Sequence, residues 1–126
     1  ILQSAANSLT DSGKLIFTTL NGLFPLFHSV KDFFDSNKKD GNAEYGNNSF
    51  DLMTFRDFNI TTVEDDDGNK KVLNCNERYY VPSEITWLLS SLGFRKVDIF
   101  GAKLGAFSRN DKLTTEDFEM LVIAQK

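Results

Sequence analysis

The chain has 126 residues, a formal net charge of −4, one Cys and one His. That length holds one modest domain with a real core. The acidic balance argues against a chain built to hold phosphate backbones, which takes clustered Lys and Arg, and one Cys with one His leaves no intramolecular disulfide and no plausible zinc site. No apolar run is long enough to span a bilayer, and no basic-then-apolar leader opens the chain. The expectation is a cytoplasmic protein with neither membrane nor nucleic acid as partner. Phe is used 12 times, which means a thick core or an apolar pocket; composition does not separate the two.

The chain opens on Ile1, and Ile1, Leu2, Ala5, Ala6 and Leu9 fall at helical spacing before the stop Asp11-Ser12-Gly13. Lys14 to Asn21, KLIFTTLN, is an almost continuous apolar run bounded by turn residues. It reads as a strand buried on both faces, the kind found in a sheet covered by helices. A helix that feeds such a strand at once reads as the back part of something larger. Next, Leu23, Phe24, Leu26, Phe27, Val30, Phe33 and Phe34 form a broad apolar stripe that predicts a helix from about Pro25 to Asp35, with Pro25 in its first turn. The stripe serves either a core-facing helix or a mobile lid closing over a ligand.

Ser36 to Ser49 is polar and rich in Asn and Gly, a long loop. Phe50 to Arg56 reads as a short strand. Phe58 to Val63 and Lys71 to Cys75 read as two strands joined around Glu64-Asp65-Asp66-Asp67-Gly68-Asn69, where Asp-Gly signals a tight hairpin turn. The three aspartates lack the ligand spacing and closing Glu of a calcium loop, so a solvated tip is expected. Cys75 reads as a small half-buried residue with no base to activate it.

Pro82, Ser83 and Glu84 start a helix whose Ile85, Leu88, Leu89 and Leu92 make one apolar face, and Gly93 closes it. Arg95 to Phe100 alternates as a strand ended by Gly101. After a loop over Lys103 to Asp117, Phe118 to Ala124 is a second strongly apolar run and reads as a central strand. No crossover helix separates these last two strands, so they are expected to pair antiparallel.

Three blocks in this order carry a resemblance. SGKLIFTTLN (Ser12 to Asn21), RYYVPSEITWLLSSLGFRKVDIFG (Arg78 to Gly101) and FEMLVIAQK at the end are similar to the C-terminal half of class I S-adenosylmethionine-dependent methyltransferases. They resemble that family's fourth helix and fifth strand, its later helix with a Gly-Phe turn and sixth strand, and a final strand inserted antiparallel between the fifth and sixth. The resemblance covers most of the chain except Ser36 to Ser49. It implies an α/β, partial Rossmann-like fold with a mixed sheet, an antiparallel final strand and an inserted β-hairpin, the insertion spanning about residues 22–77. It implies a methyltransferase acting on a small-molecule acceptor. The family holds S-adenosylmethionine with a first strand, a Gly-rich loop and an acid, and none of these is present. The cofactor therefore belongs to the intact parent, and this part alone is expected to bind it poorly and to be inactive. The rival expectation is a non-catalytic binding or assembly module on the same fold.

By position, the resemblance implicates Thr18, Thr19, Asn21, Arg78, Tyr79 and Tyr80 in holding the acceptor and His28 as a catalytic base. Thr18, Thr19 and Asn21 sit at the carboxyl end of a strand, where open α/β sheets bind ligands. Arg78 with the two tyrosines either binds and stacks an acidic acceptor or pairs with Glu77 or Glu84 while the rings pack the insertion. An imidazole is suited to such a base role, yet a lone His on an apolar stripe is more often a structural residue. The strand edge at Lys14–Leu20, its family neighbour missing, is expected to promote self-association.

Overall fold

A computed structural model describes residues 1–30, 45–103 and 106–126, excepting the side chains of residues 45–48 and 106. The chain divides into two compact units, one formed by Ile1–Phe24 with Tyr80–Lys126 and the other by Pro25–Tyr79. The sequence placed an insertion at about residues 22–77. Among the described residues no helix is long and apolar enough to cross a membrane.

The first unit is a four-stranded sheet with its two longer helices on one face. Helix α1 spans Leu2–Ser8, strand β1 Lys14–Leu20, and a four-residue helix, α2, Phe24–Phe27. After the second unit come helix α3 (Pro82–Ser91), strand β5 (Lys96–Lys103), the short β6 (Ala106–Phe107) and β7 (Glu119–Gln125). The sheet order is β1-β7-β5-β6. β7 is antiparallel to both β1 and β5, so those two run the same way on either side of it. Met120 through Ala124 are all buried. Their alternate members Met120, Val122 and Ala124 pack with Ala6 of α1 and with Ile85 and Leu89 of α3, flanked by Leu15, Phe17, Val97 and Ile99. The apolar spacing read in α3 thus becomes its buried face, each buried Ile or Leu contributing about 1.5–3 kcal/mol. Leu121 and Ile123 face the other way, with Ala102 and Phe100.

The end of α3 shows why Gly93 stands there. The Gly93 N–H bonds the Ser90 carbonyl and the Phe94 N–H bonds Leu89. These bonds need the residue past the cap to be left-handed, and Gly93 has φ 93°. Phe94 is thereby folded back into the same core as Leu89.

Several expectations need correcting. Lys14–Leu20 is not buried on both faces. It is the edge strand of the sheet, and Lys14, Ile16 and Thr18 are exposed, Ile16 to 57%. The central strand is β7, as its apolar run and the resemblance implied, the chain's last segment inserting between β1 and β5. Gly101 does not end β5, which runs on to Lys103. Its role is close approach: a Cβ there would lie 2.7 Å from Asp117 Oδ2. Of the helix predicted for Pro25 to Asp35, the described residues show α2, a break at His28 and Ser29 and a helical Val30, and residues 31–35 lie outside them.

The second unit contains a three-stranded antiparallel sheet of order β2-β3-β4, with β2 at Tyr45–Asp51, β3 at Arg56–Glu64 and β4 at Lys70–Arg78. The expected hairpin is β3–β4, and β2 adds a third strand. Tyr45 to Ser49 is therefore strand rather than loop, and Phe50 to Arg56 is a strand end followed by a turn. Asp51 organises that turn by accepting bonds from the Met53 N–H at 2.9 Å and the Thr54 hydroxyl at 2.6 Å, which hold its carboxyl below the usual range. Phe55 leaves the turn at φ 50° and sets its ring edge-on to Phe50. The β3–β4 tip is also not a two-residue turn. Glu64 pairs with Lys70, and Asp65 closes the five residues between by accepting the Asp67 and Asn69 N–H groups while Gly68 takes φ 81°. One carboxylate that satisfies several tip donors makes the longer loop stable.

Candidate functional site

Within the second unit, a cleft of about 400 Å³ lies between the segment from Pro25 to Val30 and the inner face of the three-stranded sheet. Pro25, Val30, Phe50 and Leu52 give it apolar walls; His28, Ser29 and Asp57 supply its polar groups. His28 is half-buried and Ser29 exposed.

The face of β3 toward this cleft is polar. Asp57, Asn59 and Thr61 are buried, while Phe58 and Ile60 on the opposite face are 40% and 43% exposed. That inverts the usual alternation of a half-buried strand, in which apolar residues point inward. Asp57 sits opposite Phe50 on β2 and Glu77 on β4. It is fully buried, and neither carboxylate oxygen has a hydrogen-bond partner among the described residues. Burial raises the Asp57 carboxyl above the usual carboxylate range and outweighs the lowering effect of the nearby Asn59 side chain and Phe58 N–H. Partial desolvation, then the charge of Asp57, raise Glu77 as well. The buried phenol of Tyr79 is pushed far up by desolvation and by these two carboxylates. Its ring stands edge-on to Phe50 with centroids 5.2 Å apart. Two acids with one phenol near them make a negative, poorly solvated corner, where a positive charge or a proton is strongly favoured.

The residues singled out in the sequence fall into separate groups. In the first unit, Thr18 is exposed and Thr19 half-buried. Asn21 is completely buried, and its side chain is fully engaged. Its Nδ2 donates to the Thr114 and Asp117 carbonyls at 3.1 and 2.7 Å, and its Oδ1 accepts the Leu23 N–H at 3.0 Å. Tyr80 joins the same place: its N–H bonds the Leu20 carbonyl, its carbonyl accepts the Gly22 N–H, and it forms a parallel bridge with Asn21. In the second unit, Arg78 donates to its neighbour's carbonyl at Tyr79, at 2.6 Å, and the Tyr79 N–H bonds Phe55. His28 alone among them lines the cleft, in company with Asp57.

Asp57 is the residue that the sequence reading missed. Its signal was present in the spacing Asp57, Asn59, Thr61, a polar face at period two. The same strand offers Phe58 and Ile60 at the same period, and apolar residues are the ordinary choice for the inward face.

The described residues do not fit a cofactor site for S-adenosylmethionine. Their positive-φ glycines, Gly68 and Gly93, stand at a hairpin tip and at a helix C-terminus. A phosphate- or nucleoside-binding turn stands between a strand and the start of a helix. Among the described residues no group of three or more His, Cys, Asp or Glu is placed to hold a metal ion.

No protein-family model matches the sequence, and no curated protein matches it. Solved structures do match in fold. The CcbJ methyltransferase from Streptomyces caelestis superposes with a TM-score of 0.67 at 12% identity, over 98% of this chain and 50% of that one. An S-adenosylmethionine-dependent methyltransferase from Clostridium acetobutylicum gives 0.66 at 17% identity, over 98% of this chain and 48% of that one. The chain thus spans about half the length of the solved structures it matches. In fold it is similar to half of an S-adenosylmethionine-dependent methyltransferase, α/β and Rossmann-like with an antiparallel final strand, as the resemblance of its sequence implied.

Proposed function

We propose that the chain is the C-terminal, substrate-side portion of an S-adenosylmethionine-dependent methyltransferase that acts on a small-molecule acceptor. The observation that supports this most is the strand order β1-β7-β5 with the last strand reversed, taken with a likeness over 98% of the chain to half of two methyltransferases. In this reading the cofactor belongs to the other half of the fold, and the chain described here is inactive alone. Its own contribution is to bind and orient the acceptor and to exclude water, with His28 as the base; Thr18, Thr19 and Tyr80 in the first unit and Arg78 and Tyr79 in the second are the further candidates for holding the acceptor. Asn21 supports that region by fixing the backbone after β1. A net charge of −4 favours a small molecule over nucleic acid as partner, and the cytoplasm is the compartment this reading assumes. The outer edge of β1 favours self-association.

Calorimetric titration tests the reading. The 126-residue chain is expected to show no saturable binding of S-adenosylmethionine. The same chain extended by the reading frame upstream of Ile1 is expected to bind it at micromolar concentration and to transfer a labelled methyl group. Micromolar binding by the shorter chain sinks the division of labour. A folded extended chain that binds no cofactor favours the rival, a binding or assembly module. The exposed apolar side chains of Ile16, Phe58 and Ile60 are what speaks for that rival.

A further inference from the structure

Among the described residues of the second unit, Asp57 is a fully buried carboxylate with neither oxygen hydrogen-bonded. A carboxylate shut off from water costs several kcal/mol unless a donor or a cation meets it, and neither Asp57 oxygen has a hydrogen-bond partner among the described residues. The groups around it add to the cost. Glu77 faces it across the β3–β4 pair with the same charge, and Tyr79 and Phe50 close the space beside it with aromatic rings. Among the described residues, His28 is the one basic side chain lining the same cleft. A strand that buried this acid without use would gain stability from Asn or Val at the position. The same acid stands in the lining of a 400 Å³ cleft whose other walls are Pro25, Val30, Phe50 and Leu52.

We propose that this cleft binds a small molecule bearing a protonated amino group, the ammonium meeting the Asp57 carboxylate and the apolar body lying against Phe50, Leu52 and Val30. The ammonium supplies what Asp57 lacks, donors and positive charge, and a charge-assisted bond in a poorly solvated site is the strong kind. Glu77 strengthens the field that draws a cation in and repels an acidic ligand. The apolar walls take the remainder of the ligand, as in most small-molecule sites. The inference deepens the proposed function by naming the acceptor class as an amine, and it rests on that reading only for the word acceptor. Selection of ammonium is a property of binding and is measured without any cofactor.

The probes are 2-phenylethylamine and its neutral analogue 2-phenylethanol, titrated into the 126-residue chain by calorimetry or NMR. The amine is expected to bind at least tenfold tighter than the alcohol. Asp57→Asn is expected to remove that preference by lowering amine affinity about tenfold to a hundredfold, with alcohol affinity unchanged. Amine affinity should fall as pH drops through the raised carboxyl range, because the bound form needs Asp57 ionised. It should fall again near pH 10, about where an alkyl ammonium loses its proton. Glu77→Gln, a change at an exposed strand position, provides the second variant. By removing a neighbouring charge it should move the acid limb to lower pH, an effect that general damage to the fold does not produce. Equal binding of amine and alcohol, binding of neither, or an amine affinity indifferent to Asp57→Asn each overturns the inference. Failure of methyl transfer by the extended chain, with amine selection intact, would instead remove only the proposed function.

Discussion

Asn21 and Asp57 are both buried polar residues, and the contrast between them separates structure from function. Every polar atom of the Asn21 side chain has a partner, two carbonyls from the loop before β7 and the Leu23 N–H. That loop is further fixed by Asp117, whose Oδ2 accepts both the Thr114 N–H and its hydroxyl. A residue so engaged ties β1 to the approach of β7. Asn21→Ala is therefore expected to lower unfolding free energy by about 1–3 kcal/mol, since it leaves one buried and two part-buried backbone groups without their partner. Urea denaturation followed by circular dichroism checks this. Wild-type stability in the variant would mean that Asn21 is free to serve a ligand. Asp57 shows the opposite condition, burial without partners, and that kind of group is conventionally retained for a ligand or a proton.

At the scale of elements, two strands carry most of what is unusual. β1 has a sequence fit for a sheet interior but lies at an edge. Among the described residues it pairs along its length with β7 alone, and Tyr80 covers only its carboxyl end. An exposed edge bearing Ile16 invites pairing with another copy. Sedimentation velocity is expected to show concentration-dependent dimers, reduced by Ile16→Lys, which places a charge beside that edge. A monomer at high concentration, with the edge still open, would rule this out. β3 is unusual in its faces. It was legible as a strand, because its period-two pattern survives either choice of inward face. Which face turned in was not legible: period fixes alternation, and only the packing partner fixes its phase. Here the inward face meets the cleft, so Asp57, Asn59 and Thr61 are buried and Phe58 and Ile60 are not.

For the molecule as a whole, the second unit is entered and left at neighbouring points of the first. The bonds of Tyr80 to Leu20 and Gly22 bring the two chain segments side by side just where one departs and the other returns. The core of the first unit is drawn from α1, α3, β1, β5 and β7. Replacing residues 25–79 by a short Gly-Ser linker is thus expected to leave the first unit folded. Dispersed amide resonances in an NMR spectrum would report this, and a collapsed spectrum would show that the core needs the insertion. Lys126 contributes at the same scale, because its ammonium donates to the Ala6 and Leu9 carbonyls and so fastens the end of the chain to the end of α1.

The sequence by itself determined α1, α3, the apolar strands and their antiparallel ending, since helical spacing, capping residues and apolar runs are local properties. Tertiary structure alone decided that one face of β1 is left open to solvent, because burial of a strand depends on partners distant in sequence. It alone decided that Gly101 stays within a strand to admit Asp117. And it alone showed Asp57 buried without a partner in the lining of a cleft, since the phase of an alternating strand is set by what packs against it.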